Sequence, residues 1–425
     1  MKRGVAFRVS KNALALLAAQ VGTRILALLL SAQLTRTVGV EGLGRYLLVM
    51  TLEGVVLAVT DLGLSVYALR EFSRTPDRTE RLLGSVLALK GIAVLLGVIL
   101  LNGVGLLAFP GCVRWLVLGS LALVPDAFCG ALAAVLKARQ RMEVSSGIDL
   151  GGRVVASVAG VVLLRLGFDE RAVLAAYAAG RLAVFVAYAG VLWRWRIHPR
   201  LSKALAGWWE TLKEALPFAV AGLVAVLYRR LDLLILATWR GDLQAGIYGA
   251  AYRLWEALGL VPSSLLDALF PELARRGGED VLRTGLQRLI RRGRFWLLVL
   301  MVAMLVPGFV FASPILRVFY GDVEGMTVAP VLFRILLMAL PFTYLMLLNG
   351  HILYALGRQR RVSTWMVLAT LVNGLLNLLL IPRWGMWAAA WVTLTSEVVL
   401  FMALRLAAHR AIRGDFDLEF ERASS

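Results

Sequence analysis

The sequence predicts an all-α polytopic membrane protein of about twelve transmembrane helices, in two six-helix lobes related by a pseudo-two-fold axis along the membrane normal. Three observations carry that expectation. The 425-residue chain is 60% hydrophobic and only 17% charged, with a mean hydropathy of +0.77, far more apolar than a soluble domain of ordinary usage. Apolar stretches of about 20 residues, long enough to cross the hydrocarbon core as a helix, recur throughout. Basic residues crowd into every second connection between those stretches.

Twelve stretches qualify, at roughly 12–35, 46–69, 83–108, 115–136, 144–164, 172–193, 215–238, 245–270, 295–316, 327–356, 362–382 and 385–408. The first follows Lys2, Arg3, Arg8 and Lys11, as the apolar core of a signal peptide would. It is too long for that, carries Arg24 and lacks a small-residue cleavage pattern, so it reads as an uncleaved first helix. The second carries Glu53 and Asp61, the third Lys90, the fourth Pro125 and Asp126, the fifth Asp149 and Arg153, and the sixth Arg181. These six form an N-lobe over 1–196, and a linker at 197–213 with Trp208 and Trp209 reads as partly interfacial. Spans seven to twelve form a C-lobe over 214–413, ahead of a solvated tail at 414–425 with Asp415, Asp417, Glu419 and Glu421. Pro125, Pro217, Pro262 and Pro341 fall in or near spans, where each is a tolerated kink and the set leaves room for helices that bend.

The second half repeats the first. Gly39, Gly44 and Tyr46 recur as Gly241, Gly246 and Tyr248 at one offset, and Arg139-Gln140-Arg141 after span four recurs as Arg358-Gln359-Arg360 after span ten. The larger second offset fits an insertion in the basic segment 272–294. Six spans per half is an even number, so both halves enter the membrane in the same direction.

The net charge of +19 raises the possibility of a nucleic-acid partner, and its distribution answers it. With a cytoplasmic N-terminus, the even-numbered connections and both tails hold 30 of the 46 Lys and Arg residues, and the opposite side holds eight. That asymmetry is the positive-inside pattern, so the charge sets orientation, with contact to anionic lipid as a second use. Nucleic acid is excluded as a partner, and the expected location is the cytoplasmic (inner) membrane with both termini cytoplasmic. Cys112 and Cys129 are too few for a disulfide framework or metal site. His198, His351 and His409 are scattered, and neither a phosphate-binding lysine loop nor a nucleophile elbow occurs, so no enzyme and no cofactor is expected.

The remaining eight basic residues lie inside spans: Arg24, Lys90, Arg153, Arg181, Arg229, Arg230, Arg253 and Arg334. Each costs about 2.5–3.5 kcal/mol at mid-membrane on insertion scales, so they are expected to face a wet cavity, and a cationic cavity points to an anionic cargo. Asp149 with Arg153, Arg229 with Asp232, and Arg253 with Glu256 share helical faces and can neutralise one another or contact cargo. Lys90 and Arg334 lie roughly 10 Å from a span end and are expected to snorkel. Arg24, Arg181 and Arg230 need a partner from another helix, water or substrate. Arg24 and Arg230, near the middles of spans one and seven, lead the cargo-binding candidates, joined by Arg229, Arg181 and Arg253. Glu53, Asp61, Asp232 and Glu256 are the candidates for coupling or gating, since burial can bring a carboxylate's proton affinity into play. Each can equally be a fixed partner of a cavity Arg.

Val38-Gly39-Val40-Glu41-Gly42-Leu43-Gly44-Arg45-Tyr46 with Thr60-Asp61-Leu62-Gly63-Leu64-Ser65-Val66-Tyr67-Ala68-Leu69-Arg70-Glu71 resembles Wzx-type oligosaccharide flippases of the polysaccharide biosynthesis protein family. Pro217-Phe218, Arg230-Leu231-Asp232 and Gly246-Ile247-Tyr248-Gly249-Ala250-Ala251-Tyr252-Arg253 resemble that family's seventh and eighth helices. The resemblance covers most of the chain and implies membership of the multidrug/oligosaccharidyl-lipid/polysaccharide exporter superfamily. It also implies a polyprenyl-diphosphate-linked oligosaccharide as cargo, with Arg24 and the Arg229-Arg230-Asp232 cluster on the cationic cavity. Membrane lipids, a polysaccharide polymerase and glycosyltransferases are the partners it implies. A lipid II flippase, a cation/drug antiporter and a non-transporting scaffold of a glycan assembly complex remain as alternatives, and neither the sugar nor the polymer, lipopolysaccharide or exopolysaccharide, is legible.

Overall fold

The structure, a computed structural model, describes residues 2–200, 205–277 and 283–413. The acidic tail at 414–425, residues 201–204 of the linker and part of the basic segment 272–294 lie outside the described residues. Among those described, helices account for nearly everything and no strand occurs, as expected of a chain whose backbone groups must pair internally in lipid.

Helix α1 (Lys2–Asp61) contains the first two expected spans as two arms, broken at Gly39 with φ 84° and ψ 179°. Helix α7 (Leu205–Leu258) contains the seventh span and most of the eighth, broken at Gly241 with φ 78° and ψ −178°. Only glycine adopts that positive-φ conformation freely, so the repeated Gly39 and Gly241 mark the same bend in each half. The other expected spans are α3 (Thr79–Ala108), α4 (Val113–Ala138), α5 (Met142–Arg165), α6 (Glu170–Arg194), α9 (Arg283–Val310), α11 (Ala329–Ala355), α12 (Gln359–Trp384) and α13 (Met386–Arg413). Shorter pieces, α2 (Leu64–Arg74), α8 (Leu260–Gly277) and α10 (Ala312–Tyr320), continue the second, eighth and ninth spans beyond breaks. Among the described residues nine helical stretches are long and apolar enough to cross a membrane, including Ala18–Asp61, whose 44 residues suffice for two passes. The arms of α7, which carry Arg229, Arg230 and Asp232 and then Arg253 and Glu256, are outside those nine.

Two compact units emerge. The first comprises the chain up to Arg230 together with Gly241–Gly246. In it α6 packs on α4 and α5, α1 on α5 and α3, and α3 on α4. Leu64, Leu83, Leu136 and Tyr188 are sealed in its core along with Ala215, so the beginning of the first arm of α7 is built into this unit. Gly63, at φ 70°, closes the break between α1 and α2 and sits directly on the backbone of Ala215, Phe218 and Ala219. The second unit comprises Leu231–Arg240 and the chain from Ile247 onward. There α11 packs on α13, α9 and α8, and α12 lies on α13. Leu336, Leu337, Ala339 and Leu353 of α11 are fully buried, whereas Leu371, Leu375, Leu378 and Leu379 of α12 face outward, which costs nothing where lipid replaces water.

Candidate functional site

A polar cluster sits in the middle of the first unit, assembled from five helices. The second arm of α1 contributes Glu53 and Asp61, α3 Lys90, α4 Asp126, α5 Asp149 and Arg153, and α6 Tyr177 and Arg181. The Arg181 guanidinium donates to the Asp126 carboxylate, which also accepts from the Tyr177 hydroxyl at 3.4 Å. Arg153 lies over the Tyr177 ring, 5.4 Å from its centroid. Glu53, only 4% exposed, is within electrostatic reach of Asp126, Arg181 and Arg153, and among the described residues its Oε1 meets no donor. Tyr188 joins Asp149 to Ser145.

Lys90 departs from expectation. It does not snorkel: its side chain is fully buried, and Nζ donates to Asp61 Oδ1 at 2.5 Å and to the Ala127 carbonyl at 2.8 Å. Asp61 also accepts from the Ser65 hydroxyl at 2.5 Å and the Ser65 amide at 3.3 Å. A carboxylate with that many donors is satisfied as an anion, and Lys90 is satisfied as a cation, so the pair can persist in a region of low dielectric. Arg334 turns to the Phe309 carbonyl at 3.1 Å and stacks on the Phe309 ring.

These groups border a cavity of about 400 Å³ whose wall includes Asp61, Asp126, Asp149, Lys137, Arg181 and Phe218. Of the residues singled out from the sequence, Arg181, Glu53 and Asp61 are thus brought into one neighbourhood. Arg24, on the first arm of α1, and Arg230, at the end of the first unit's share of α7, are half-buried and neither is without an interaction; Arg229 beside Arg230 is exposed. In the second unit Asp232 is buried and accepts from the Tyr248 hydroxyl, with Thr393 3.1 Å from the same phenol oxygen. Arg253 and Glu256 are half-buried there. Asp126, Tyr177 and Lys90 complete the first-unit cluster without a local signal, because their partners lie 29 to 55 residues away on other helices. The side chain of Asp267 lies outside the described residues.

A second charged group occupies the bends. Arg45 lies 3.3 Å from Glu170 and 3.8 Å from Asp242, and the Trp115 indole donates to Glu170 at 3.1 Å. Arg45 also covers the Trp115 ring at 5.4 Å. Burial pushes the Asp242 carboxyl above its ordinary range, with Arg45 pulling it back.

The fold of long broken helices matches solved structures of transporters, among them members of the MOP superfamily. An inward-facing multidrug-resistance MATE transporter of that superfamily matches with a TM-score of 0.73 at 15% identity, over 94% of this chain and 98% of the other. The lipid II flippase MurJ in an inward closed conformation matches at 0.75 and 13% identity, over 92% and 86%. A transporter from Pyrococcus furiosus, described as having a binding pocket of reversed polarity, matches at 0.64 and 14% identity, over 95% and 96%. At these identities the likeness concerns the fold. No curated protein matches in sequence. The family model for polysaccharide biosynthesis proteins matches residues 9–276, and that for the lipid II flippase MurJ matches residues 154–421. The chain belongs to the polysaccharide biosynthesis protein family, with its later portion also fitting the MurJ family, and is a multi-pass membrane transporter of the flippase type rather than an enzyme.

Proposed function

We propose that the protein carries polyprenyl-diphosphate-linked oligosaccharide repeat units from the inner to the outer leaflet of the cytoplasmic membrane, for assembly of a cell-surface polysaccharide. The observation that carries the reading is the placing of half-buried Arg24 and Arg230 near the middles of spans one and seven. Cations kept at that depth, against a cost of about 2.5–3.5 kcal/mol each, are suited to a diphosphate. Membership of the polysaccharide biosynthesis protein family supports the lipid-linked glycan. The distribution of Lys and Arg supports cytoplasmic termini. On this reading Arg24, Arg230, Arg229, Arg181 and Arg253 bind cargo, while Glu53, Asp61, Asp232 and Glu256 gate or couple the cycle by alternating access. A diphosphate moving toward a positive outer face gains roughly 2.3 kcal/mol per charge per 100 mV, so the membrane potential assists outward transfer.

The test is leaflet transfer in proteoliposomes, comparing wild type with Arg24→Ala and Arg230→Ala at matched insertion. Transfer lost in both variants supports the reading; full transfer in both removes the cationic site while leaving a flippase, and no transfer of any lipid-linked sugar by wild type leaves the scaffold alternative. Lipid II is the second cargo to assay, because the MurJ family model matches residues 154–421. Export of an organic cation with no lipid-linked sugar moved would replace the reading with a drug antiporter.

A further inference from the structure

The cavity of the first unit is ill suited to a diphosphate. Its wall and the groups directly behind it carry Glu53, Asp61, Asp126 and Asp149 against Lys90, Lys137, Arg153 and Arg181, an equal number of acids and bases. Asp126 is already held by Arg181 and Asp61 by Lys90. A net anion entering gains little from paired charges whose fields cancel, and neither Arg24 nor Arg230 is on this wall. What such a wall offers is a set of fixed donors and acceptors at short range: carboxylate oxygens that accept from hydroxyls, and guanidinium and ammonium groups that donate to them.

The rest of the wall is small and apolar. Phe218 is among the lining residues, with the Arg70 guanidinium 5.6 Å from its ring centroid, and glycine and alanine fill most other places. A β-carbon built on Gly54 or Gly222 meets no atom within 4 Å, so the space beside them is open. A volume of about 400 Å³ falls within the range of small-molecule sites. The ligand matching both surfaces is neutral, ring-shaped, apolar on its faces and hydroxylated around its rim, which is the chemistry of a pyranose.

We propose that this cavity is a glycan subsite, in which Asp126, Arg181, Asp149 and Lys137 hydrogen-bond the hydroxyls of a sugar residue distal to the diphosphate and Phe218 stacks against its face. The inference rests on the flippase reading and adds a division of labour to it: charge recognition at Arg24 and Arg230, sugar recognition here. The cavity then sets which oligosaccharides are carried.

The test fills the void without touching a charge. Gly54→Leu and Gly222→Leu are reconstituted beside wild type, with Gly54→Ala and Gly222→Ala and size-exclusion profiles as folding controls. Leaflet transfer is measured for polyprenyl diphosphate bearing one N-acetylhexosamine and for a panel bearing neutral tetrasaccharides. The subsite predicts that the leucine variants move the one-sugar lipid within about twofold of wild type and move the tetrasaccharide lipids at least about tenfold more slowly, the scale of discrimination a reshaped pocket imposes. Wild-type rates on both lipids, or equal losses on both, overturn it while leaving the flippase reading intact. Wild type that moves neither lipid overturns the flippase reading beneath it. A leucine variant that loses rhodamine 6G export but keeps tetrasaccharide transfer assigns the cavity to cations and overturns the glycan subsite.

Discussion

A β-carbon on Gly44 would fall on the backbone carbonyl of Asp242, and a β-carbon on Gly246 would fall on that of Val40. The two contacts are one contact made twice, since Gly44 and Gly246, and Val40 and Asp242, stand at the same sequence offset. Backbone meets backbone at each point, so neither side can give way as a flexible side chain would. Gly44→Val is therefore expected to force residues 39–46 away from 241–246, at a cost of about 1–3 kcal/mol or more. In a background with Cys112 and Cys129 replaced, Leu43→Cys, at a fully buried position, is expected to become reactive to an impermeant thiol reagent only when Gly44→Val is added. Unchanged reactivity would mean the contact is looser than its geometry indicates.

Gly63 is constrained twice, by its φ of 70° and by the Ala215–Ala219 backbone against it. Replacing it with leucine is expected to separate α2 from the first arm of α7, at about 1–3 kcal/mol for each source of strain. Protease accessibility of the Leu205–Leu212 stretch reports the separation, and Gly222→Ala, at an open position, is the matched control that is expected to leave it protected.

Removing one partner of the Lys90–Asp61 pair is expected to be worse than removing both. Asp61→Asn leaves a fully buried ammonium facing no carboxylate, which costs about 3–5 kcal/mol for a buried pair. Lys90→Met is milder, because Asp61 is partly exposed and keeps both bonds from Ser65. The double variant is expected to regain much of the loss. Detergent melting followed by size exclusion ranks the three, and a double variant no better than Asp61→Asn would deny that the pair acts as a unit.

Asp169 caps α6, accepting from the Arg171 amide at 3.0 Å and pairing with its guanidinium at 2.5 Å. The Arg171 side chain, followed by that backbone bond, holds the Asp169 carboxyl below the usual carboxylate range. A carboxylate depressed in the folded state contributes stability above its unfolded value near 3.9 and loses it as pH falls through the folded value. The group is more than one-third exposed and screened by solvent, so Asp169→Ala is expected to cost no more than about 1 kcal/mol at pH 7. The difference in melting temperature from wild type should shrink progressively as pH falls below the unfolded value of about 3.9 and through the lower folded value. A difference that stays constant with pH would assign the effect to something other than the ionised cap.

The repeat was readable because glycine at a positive-φ bend has no substitute: Gly39 and Gly241 had to recur if the bend did. Among the described residues, nine stretches long and apolar enough to cross a membrane were readable from apolar length, whereas the charged arms of α7 fall outside them. What local spacing missed was partnership across helices. Asp149 and Arg153 share a face, yet in the structure Asp149 turns to Tyr188 and Arg153 to the Tyr177 ring. Lys90, judged by its distance from a span end, is held by Asp61 on a neighbouring helix. Sequence periodicity describes one helix at a time, and tertiary ion pairs obey no period.

Set one half on the other by the offset that aligns the bends, and Glu53 and Asp61 fall on Trp255 and Ser263. The bend is thus present in both halves, while these two carboxylates of the first-unit cluster have no acidic counterpart. With the bend present in both halves and these carboxylates in one, the two bends can vary as a matched set while the residues of recognition vary in one half alone. Relatives of this chain would then be expected to conserve the paired glycines across different cargoes and to vary most around the first-unit cavity.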